Sequence, residues 1–312
     1  MPYRRSKEEV EAAAGEVDYL RTVGSFAMQH TIVSIYSPST VVKTPETTIR
    51  GRWATPGEDF SGEQLLLNYR PDNARISFQL GIGRFFEPDA VLTACHAELE
   101  EDLRAVATLP KPKRIRTGLS AVVDNRRSTR DFGKDPVSLA DLATVLHHAQ
   151  GMTGELPYGN PNDPHGVIRL RTVPSGGGLY PVTLFVQAFH VDGLADGAYE
   201  YLPHAHALGV VEFDGDPASV LRSVDFDVAG SGFVLTYVYN LLHNSRKYGD
   251  AGVVFGLIEV GGISQTVHLT RTALALAGVD QGGYDKQGIE RALGLDGLSR
   301  HVVHMTVIGQ EG

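Results

Sequence analysis

Three arginines and a serine lie within five residues in the stretch "DNRRSTRDF", residues 124–132. Each guanidinium can bind an oxyanion through paired hydrogen bonds, and the serine hydroxyl can add another. Because the whole chain has a net charge of −9, this local positive charge needs an explanation. It indicates a site for a phosphomonoester, although a solvated basic helix start with surface ion pairs would give the same pattern. The candidate residues are Arg126, Arg127, Ser128 and Arg130.

The second candidate is the run of three glycines in "RTVPSGGGLYP", residues 171–181. Consecutive glycines cost backbone entropy, so they indicate either a flexible turn or a close approach of another group to the main chain. A phosphate-binding loop needs Gly-Lys-Ser/Thr followed by a helix, and a dinucleotide fingerprint needs strand, turn and helix in that order. Leu-Tyr-Pro and an apolar, strand-like run follow here instead. The remaining interpretation is a flat ligand, such as a flavin ring, lying against bare backbone.

The elements that would position these residues mix helices and strands without a regular βαβ alternation. Ser138 as N-cap, Asp141 in the first turn and Gly151 as C-cap predict a helix between them. A long helix is predicted from about Ala251 to Ala277, and a short one near Gln287 to Leu293. Strands are predicted in "VTLFVQAFH", "FVLTYVYNL" and "HVVHMTVIG", with a hairpin in "GAYEYLPHAHALGVVEF" that turns near Pro203 to Ala205. This mixture predicts an α+β fold rather than a doubly wound sheet.

The first 110 residues form a different region. An amphipathic helix is predicted at the start, short strands and turns from Thr31 to about Asp72, and a second helix from Asp89 to Thr108. The stretch "LPKPKRIRTG" combines two prolines with basic residues and is typical of a linker. We therefore predict an N-terminal α/β extension over 1–110 and a main domain over 111–312.

Composition excludes several classes of function. With 42% apolar residues and a net charge of −9, the chain can bury a large core but has no long-range attraction for nucleic acid or an anionic membrane. Its single cysteine, Cys95, excludes a disulfide framework and a multi-cysteine metal site. The start lacks the apolar segment of a signal peptide, and the apolar stretch from Val253 to Val279 contains charged residues. We expect a cytoplasmic protein without a metal or a membrane span.

Taken together, the motifs resemble the flavin-dependent nitroreductase superfamily, and within it the SagB/ThcOx branch of azoline dehydrogenases. The resemblance covers roughly residues 120–310 and includes "RRSTRDF", "HHAQG", "VPSGGGLYP", "YEYLPHAHAL", "RKYGDAG", "ISQTVHLTRTALALAG" and "QGGYDKQGIERALGLD", in family order. It implies a central, mostly antiparallel sheet flanked by helices, with FMN bound at a homodimer interface.

The resemblance also implies a role for each matching residue. The arginine stretch would surround the FMN phosphate and ribityl chain. Two further sets would lie against the isoalloxazine, namely Pro174, Ser175, Gly176 and Gly177 on one side and Gly282 and Gly283 on the other. Related reductases hold the phosphate with an additional basic pair beyond the last strand. This chain ends in "VIGQEG" and lacks that pair, so a further phosphate contact stays unassigned.

The implied reaction is the oxidation of thiazoline or oxazoline rings in a ribosomally made peptide to thiazoles or oxazoles. One hydrogen leaves as hydride to flavin N5, and a base must take the other as a proton. Lys247 and Tyr248 match the Lys-Tyr motif that this branch uses for that step. Both side chains have ordinary pKa values of about 10 or above, so one must be lowered. The sequence does not decide which of the two is the base.

Other functions and partners follow from the same resemblance. One alternative is an NAD(P)H-dependent nitro or quinone reductase. Another is a flavin-bearing subunit without catalytic activity that docks within a biosynthetic complex. The expected partners are an azoline-containing peptide, a second copy of the chain and a cyclodehydratase. Residues 1–110 would recognise a leader peptide or a partner, or would instead be an extension that wraps the dimer.

Overall fold

The computed structural model describes residues 103–157 and 167–312, together with scattered positions from 65 to 101. The chain forms two compact units, Met1–Pro71 and Asp72–Gly312. The helix predicted at the start and most of the pieces predicted up to Asp72 lie outside the described residues. The boundary between residues 110 and 111 stays a prediction.

The described strands follow one another along the chain as β1 Ala107–Thr108, β2 Val137–Ser138, β3 Met152–Pro157, β4 Val167–Arg171, β5 Val182–Ala188, β6 Val191–Asp192, β7 Gly197–Leu202, β8 Ala207–Val211, β9 Phe233–Asn240, β10 Leu276–Asp280 and β11 Arg300–Gln310. Seven of them form one sheet in the order β1-β8-β7-β5-β9-β11-β10. Every neighbouring pair in this sheet is antiparallel. The smaller ladders are β2 with β6, which is parallel, and β3 with β4, which is antiparallel.

The described helices of four residues or more are α1 Leu119–Asn125, α2 Leu139–Gln150, α3 Pro217–Val220, α4 Leu241–Tyr248, α5 Ala251–Ala273 and α6 Lys286–Ala292. Apolar side chains fill both faces of the central strands, because successive strand residues point to opposite sides. On β9, Leu235 packs with the cluster that includes residues of α2 and α5, while Val234 packs with the cluster that includes α6. The central antiparallel sheet with flanking helices confirms the predicted α+β fold.

Helix α2 confirms its predicted caps. The hydroxyl of Ser138 accepts a hydrogen bond from the backbone N–H of Asp141 at 3.1 Å. The backbone N–H of Gly151 donates to the carbonyl of His147 and closes the last turn. These local signals are sufficient to predict both ends of α2, because each cap satisfies a backbone group that the helix itself leaves unpaired.

Two predicted helix ends are wrong. Helix α5 ends at Ala273 rather than Ala277, because Ala275 has a φ of 58° and so leaves the right-handed helical region. The apolar residues that follow form the edge strand β10, which pairs with β11. The helix predicted up to Thr108 also ends earlier, since Ala107–Thr108 pairs with β8 as β1. In both places an apolar run is compatible with either structure, and pairing with the sheet decides the outcome.

Candidate active site

The glycine loop, residues 174–180, connects β4 to β5 and contains a single 3-10 turn at Gly176–Gly178. Gly177 and Gly178 both have a φ of 67°, in the left-handed region that favours glycine. A Cβ on Gly177 would overlap the hydroxyl of Tyr248 and lie 2.5 Å from Nζ of Lys247. Among the described residues, the atoms nearest to this Cβ position therefore belong to the two residues of the Lys-Tyr motif.

Hydrogen bonds brace this loop from within. The backbone N–H of Tyr180 donates to the hydroxyl of Ser175 at 2.9 Å, and the hydroxyl of Tyr180 accepts from the backbone N–H of Arg171 at 2.9 Å. The guanidinium of Arg171 lies 4.7 Å from the centroid of the Tyr180 ring. Tyr180 itself has a φ of 47°, which is unfavourable for a bulky residue. The loop is thus held in a fixed, locally strained conformation.

Lys247 and Tyr248 form the last turn of α4, a helix that the sequence did not predict. Lys247 is only 9% exposed, and burial lowers the pKa of its ammonium. Burial raises the pKa of the Tyr248 phenol. Both shifts favour the uncharged form, because desolvation penalises charge. A neutral amine can accept a proton, whereas a phenol must first ionise, so the two shifts make Lys247 a better proton acceptor and Tyr248 a poorer one.

Helix α5 carries two residues of this region that the sequence did not assign to a site. The ring of Phe255 packs edge-on against the ring of Tyr248, with centroids 5.0 Å apart, and a Cβ on Gly176 would lie 3.3 Å from Phe255. One helical turn later, the carboxylate of Glu259 is 2% exposed. Its oxygens lie near the hydroxyl of Ser175 and the backbone of Val182, but without a hydrogen bond of ordinary geometry to the described residues.

Burial raises the pKa of Glu259 to about 7, and nearby Ser175 and Arg171 offset only part of this effect. Ser175 belongs to the glycine loop, so Glu259 lies behind that loop. In the sequence, Glu259 is recognisable only as a charged residue within a long apolar stretch. That feature argues against a membrane span but does not indicate a site. Helix α5 is long and apolar enough to cross a membrane, but Ile263 and Val267 on it are buried in the core.

The arginine segment, residues 126–130, follows α1 and lies beside β10. The backbone N–H of Thr129 donates to the carbonyl of Gly278 at 3.1 Å. The guanidinium of Arg127 donates to the backbone carbonyls of Asp124 and Arg126, so part of its hydrogen-bonding capacity serves its own segment. Arg127, Ser128 and Arg130 are exposed, and Arg126 is half-buried. Their cationic and hydroxyl groups can therefore reach a ligand from solvent.

Gly282 and Gly283 follow β10 directly and are exposed. A Cβ on either residue would meet no atom of the described chain within 4 Å, and neither glycine has a positive φ. The fold itself therefore does not require glycine at these two positions. Glycine here fits the close approach of a ligand to the backbone.

The structure brings Gly177, Lys247 and Tyr248 together, and it places the arginine segment elsewhere. Phe255, near the start of α5, lies beside Gly176 and Tyr248. Arg271, near the end of the same helix, contacts the arginine segment, because its guanidinium donates to the carbonyl of Arg127 at 2.6 Å. The two residues are sixteen positions apart in one helix, a separation of about 24 Å. An extended ligand would be needed to reach both regions.

The similarity to known protein families decides the broader class of the protein. The family model described as "Nitroreductase family" matches residues 123–310, which is more than half of the chain. The protein belongs to the nitroreductase family. Family membership makes it a flavin oxidoreductase and confirms the coarser part of the resemblance seen in the sequence.

Individual relatives agree with this class. The protein MJ1384 of Methanocaldococcus jannaschii, a nitroreductase by name, is 30% identical over 177 residues, which cover 56% of this chain and 83% of that protein. A crystal structure from Ralstonia eutropha JMP134, also named as a nitroreductase, has a TM-score of 0.53 and 24% identity, and covers 66% of this chain and 89% of that one. The latter similarity shows the fold alone.

The E. coli microcin synthetase McbBCD complex with truncated pro-MccB17 bound has a TM-score of 0.48 and 18% identity, and the similarity covers 100% of both chains. A similarity at this level carries no argument about activity or partners.

Proposed function

We propose that the protein is an FMN-dependent dehydrogenase that oxidises thiazoline or oxazoline rings of a ribosomally made peptide to thiazoles or oxazoles. The observation that carries this proposal is the contact of Gly177 with Lys247 and Tyr248. Aromatising such a ring removes a hydride and a proton from adjacent ring carbons, so a base is needed beside the hydride acceptor. A reductase that receives its hydride from a nicotinamide has no corresponding proton to remove from carbon.

The residues present fit FMN. The guanidinium groups of half-buried Arg126 and exposed Arg130 and the hydroxyl of Ser128 would hold its phosphate, with Arg127 adding charge to the same segment. The backbone of the glycine loop, Pro174 to Gly177, and the exposed Gly282 and Gly283 would lie against its ring. When bound, FMN supplies the hydride acceptor for this chemistry.

Lys247 would act as the base in this proposal. Burial lowers the pKa of its amine, and its Nζ lies within contact distance of the position where a side chain on Gly177 would begin. Tyr248 would stay a neutral phenol and orient the substrate or the lysine, since Nζ of Lys247 lies 5.1 Å from the centroid of the Tyr248 ring. The proton leaves the substrate carbon and ends on the lysine amine.

The test uses a synthetic peptide with preformed thiazoline rings and mass spectrometry. Wild-type protein loaded with FMN should remove two hydrogens from each ring. We expect Lys247→Met to abolish this mass loss while the protein still binds FMN, and Tyr248→Phe to retain part of it. Lys113→Met, which removes a surface ion pair with Asp141, is the matched control and should be fully active. Unchanged turnover in Lys247→Met would refute the proposal.

A second candidate, an NAD(P)H-dependent nitro or quinone reductase, is supported by the 30% identity to MJ1384, a nitroreductase by name. Rapid bleaching of the bound flavin by NADPH, with nitroarene turnover that is the same in Lys247→Met and wild type, would favour it. The same preparation therefore separates the two activities.

We also propose a cytoplasmic homodimer that works with a cyclodehydratase. Exposed apolar side chains on neighbouring helices support the dimer: Leu257 and Ile258 on α5 are 44% and 67% exposed, and Leu242 on α4 is 56% exposed. Such a patch is typical of a protein interface. We expect Ile258→Glu to shift the sedimentation coefficient from dimer to monomer, whereas a monomeric wild type would contradict the dimer.

A further inference from the structure

Arg271 is a cation buried in the described part of the chain, with a relative exposure of 2%. Its guanidinium donates three hydrogen bonds in three directions. Nε donates to Nδ1 of His268 at 3.0 Å, and Nη1 donates to the carbonyl of Leu276 at 3.0 Å. Nη2 donates to the carbonyl of Arg127 at 2.6 Å. One side chain therefore ties α5 to the edge strand β10 and to the arginine segment.

The contact with His268 continues into a longer network. Because a guanidinium only donates, Nδ1 of His268 must accept, and its proton must be on Nε2. That Nε2 lies 2.9 Å from Oδ1 of Asp280, which also accepts from the hydroxyl of Thr306 at 2.7 Å. Nε2 of His304 lies 3.0 Å from the same oxygen. Asp280 thus anchors the network at the end of β10, directly before Gln281 and Gly282.

The backbone is shaped to admit Arg271. A Cβ on Gly278 would lie 2.8 Å from Cδ of Arg271 and 2.9 Å from the carbonyl oxygen of Val307. Glycine at 278 therefore allows the arginine side chain to pass β10. The same glycine exchanges hydrogen bonds with Thr129, since its carbonyl accepts from the Thr129 N–H at 3.1 Å and its N–H donates to the Thr129 hydroxyl at 3.0 Å.

Charges of both signs surround Arg271. Burial lowers the pKa of Arg271 to about 10, the neighbouring positive charge of Arg126 adds to this shift, and the negative charges of Asp280 and Glu311 oppose it. At neutral pH both guanidinium groups are still charged. The two carboxylates offset part of the repulsion between the guanidinium groups, and an anion bound beside Arg126 would offset more of it.

We propose that Arg271 is a positioning residue for the anionic end of the flavin. It fixes the backbone of the arginine segment against β10, and through His268 and Asp280 it connects that segment to the loop of Gly282 and Gly283. The inference rests on the proposed FMN site and deepens it, because it assigns to a buried residue the support of the segment that would hold the phosphate.

The experiment compares Arg271→Met and Arg271→Lys with the wild-type full chain. The first readout needs no ligand: amide hydrogen exchange at Thr129 and Gly278, whose mutual hydrogen bonds report the position of the segment. The second is the dissociation constant of FMN, measured by quenching of flavin fluorescence on folded protein. Leu142→Ala in α2, a fully buried core position, is the control that destabilises the fold without touching the segment.

We expect Arg271→Met to accelerate exchange at Thr129 and Gly278 and to raise the FMN dissociation constant by at least about tenfold, with Arg271→Lys in between because it keeps the charge but not the three-way geometry. Leu142→Ala should accelerate exchange across the core rather than selectively at Thr129 and Gly278, and should leave the FMN dissociation constant at the wild-type level. Unchanged exchange in Arg271→Met, or faster exchange with an unchanged dissociation constant, would overturn the inference.

Two other outcomes are also decisive. If Arg271→Met does not fold, Arg271→Lys alone must show both effects, and wild-type values in it would overturn the inference. If wild-type protein does not bind FMN, the proposed function fails. The exchange data then show separately whether Arg271 positions the segment.

Discussion

Replacing Glu259 by glutamine should stabilise the protein at alkaline pH and not at acid pH. Glutamine has nearly the same shape as the protonated carboxyl but never carries the charge. The folded state raises the pKa of Glu259 from its ordinary value of 4.5 to about 7 because the carboxyl is buried. Below pH 4.5 the group is neutral in both the folded and the unfolded state, and burial of charge costs nothing.

The cost appears as pH rises. Between pH 4.5 and about 7 the unfolded chain loses this proton while the folded chain retains it, so folding becomes less favourable. Each pKa unit corresponds to about 1.36 kcal/mol, which gives a total of about 3 kcal/mol above pH 7. We therefore expect Glu259→Gln to gain about 2 to 3 kcal/mol relative to wild type between pH 5 and pH 8.

Urea denaturation at pH 5 and pH 8 measures this difference in the free energy of unfolding. Glu101 also has its pKa raised to about 7 by burial and interacts with Arg171, but it is present in both proteins and its direct contribution cancels. Glu212→Gln, at an exposed position, is the matched control and should change stability little at either pH. Parallel pH profiles for Glu259→Gln and wild type would show that Glu259 is ionised and paired in the folded protein, which would refute the argument.

Three further changes test other parts of the structure. Gly177→Ala should lower the free energy of unfolding by about 1 to 2 kcal/mol, because alanine disfavours a positive φ and its Cβ would displace Lys247 and Tyr248; an unchanged urea midpoint would contradict this. The wild-type protein should lose stability as pH falls below about 4, and Asp280→Asn should lose less. Burial opposes ionisation of Asp280, but hydrogen bonds from His268 and its neighbours hold the pKa of Asp280 well below the usual range. Identical acid denaturation profiles of the two proteins would exclude that role. Ser138→Ala should cost about 1 kcal/mol through loss of the α2 cap, measured by thermal unfolding, and an undiminished melting temperature would count against the cap.

Local patterns predicted much of the fold because they depend on neighbouring residues. The caps of α2, the hairpin of β7 and β8 and the strands β5, β9 and β11 all follow from residues within a few positions of one another. The sequence did not predict α4, whose polar stretch has no strong period, or the edge strand β10. Whether an apolar run such as Leu276–Asp280 becomes helix or strand depends on β11, which begins twenty residues later.

The candidate site shows the same division. The glycine loop and the Lys-Tyr pair could be named from the sequence, but their contact could not, because it joins positions seventy residues apart. Phe255, Glu259 and Arg271 were missed because in the sequence they look like parts of one apolar helix. Their roles depend on what lies opposite each face of α5, and only the folded arrangement supplies that information.

The choice of base in the proposed reaction depends on information that only the fold supplies. From sequence alone, the positive charges of Arg246 and Lys247 favour a Tyr248 phenolate, while burial favours a neutral Lys247, and the two effects point in opposite directions. The structure buries Lys247 and shifts the pKa of both groups toward the uncharged form. Desolvation therefore outweighs the neighbouring charge at this site. The amine of Lys247 is therefore easier to keep neutral and the phenol of Tyr248 is harder to ionise, and this is the direction of both shifts that the proposed role of Lys247 as the base requires.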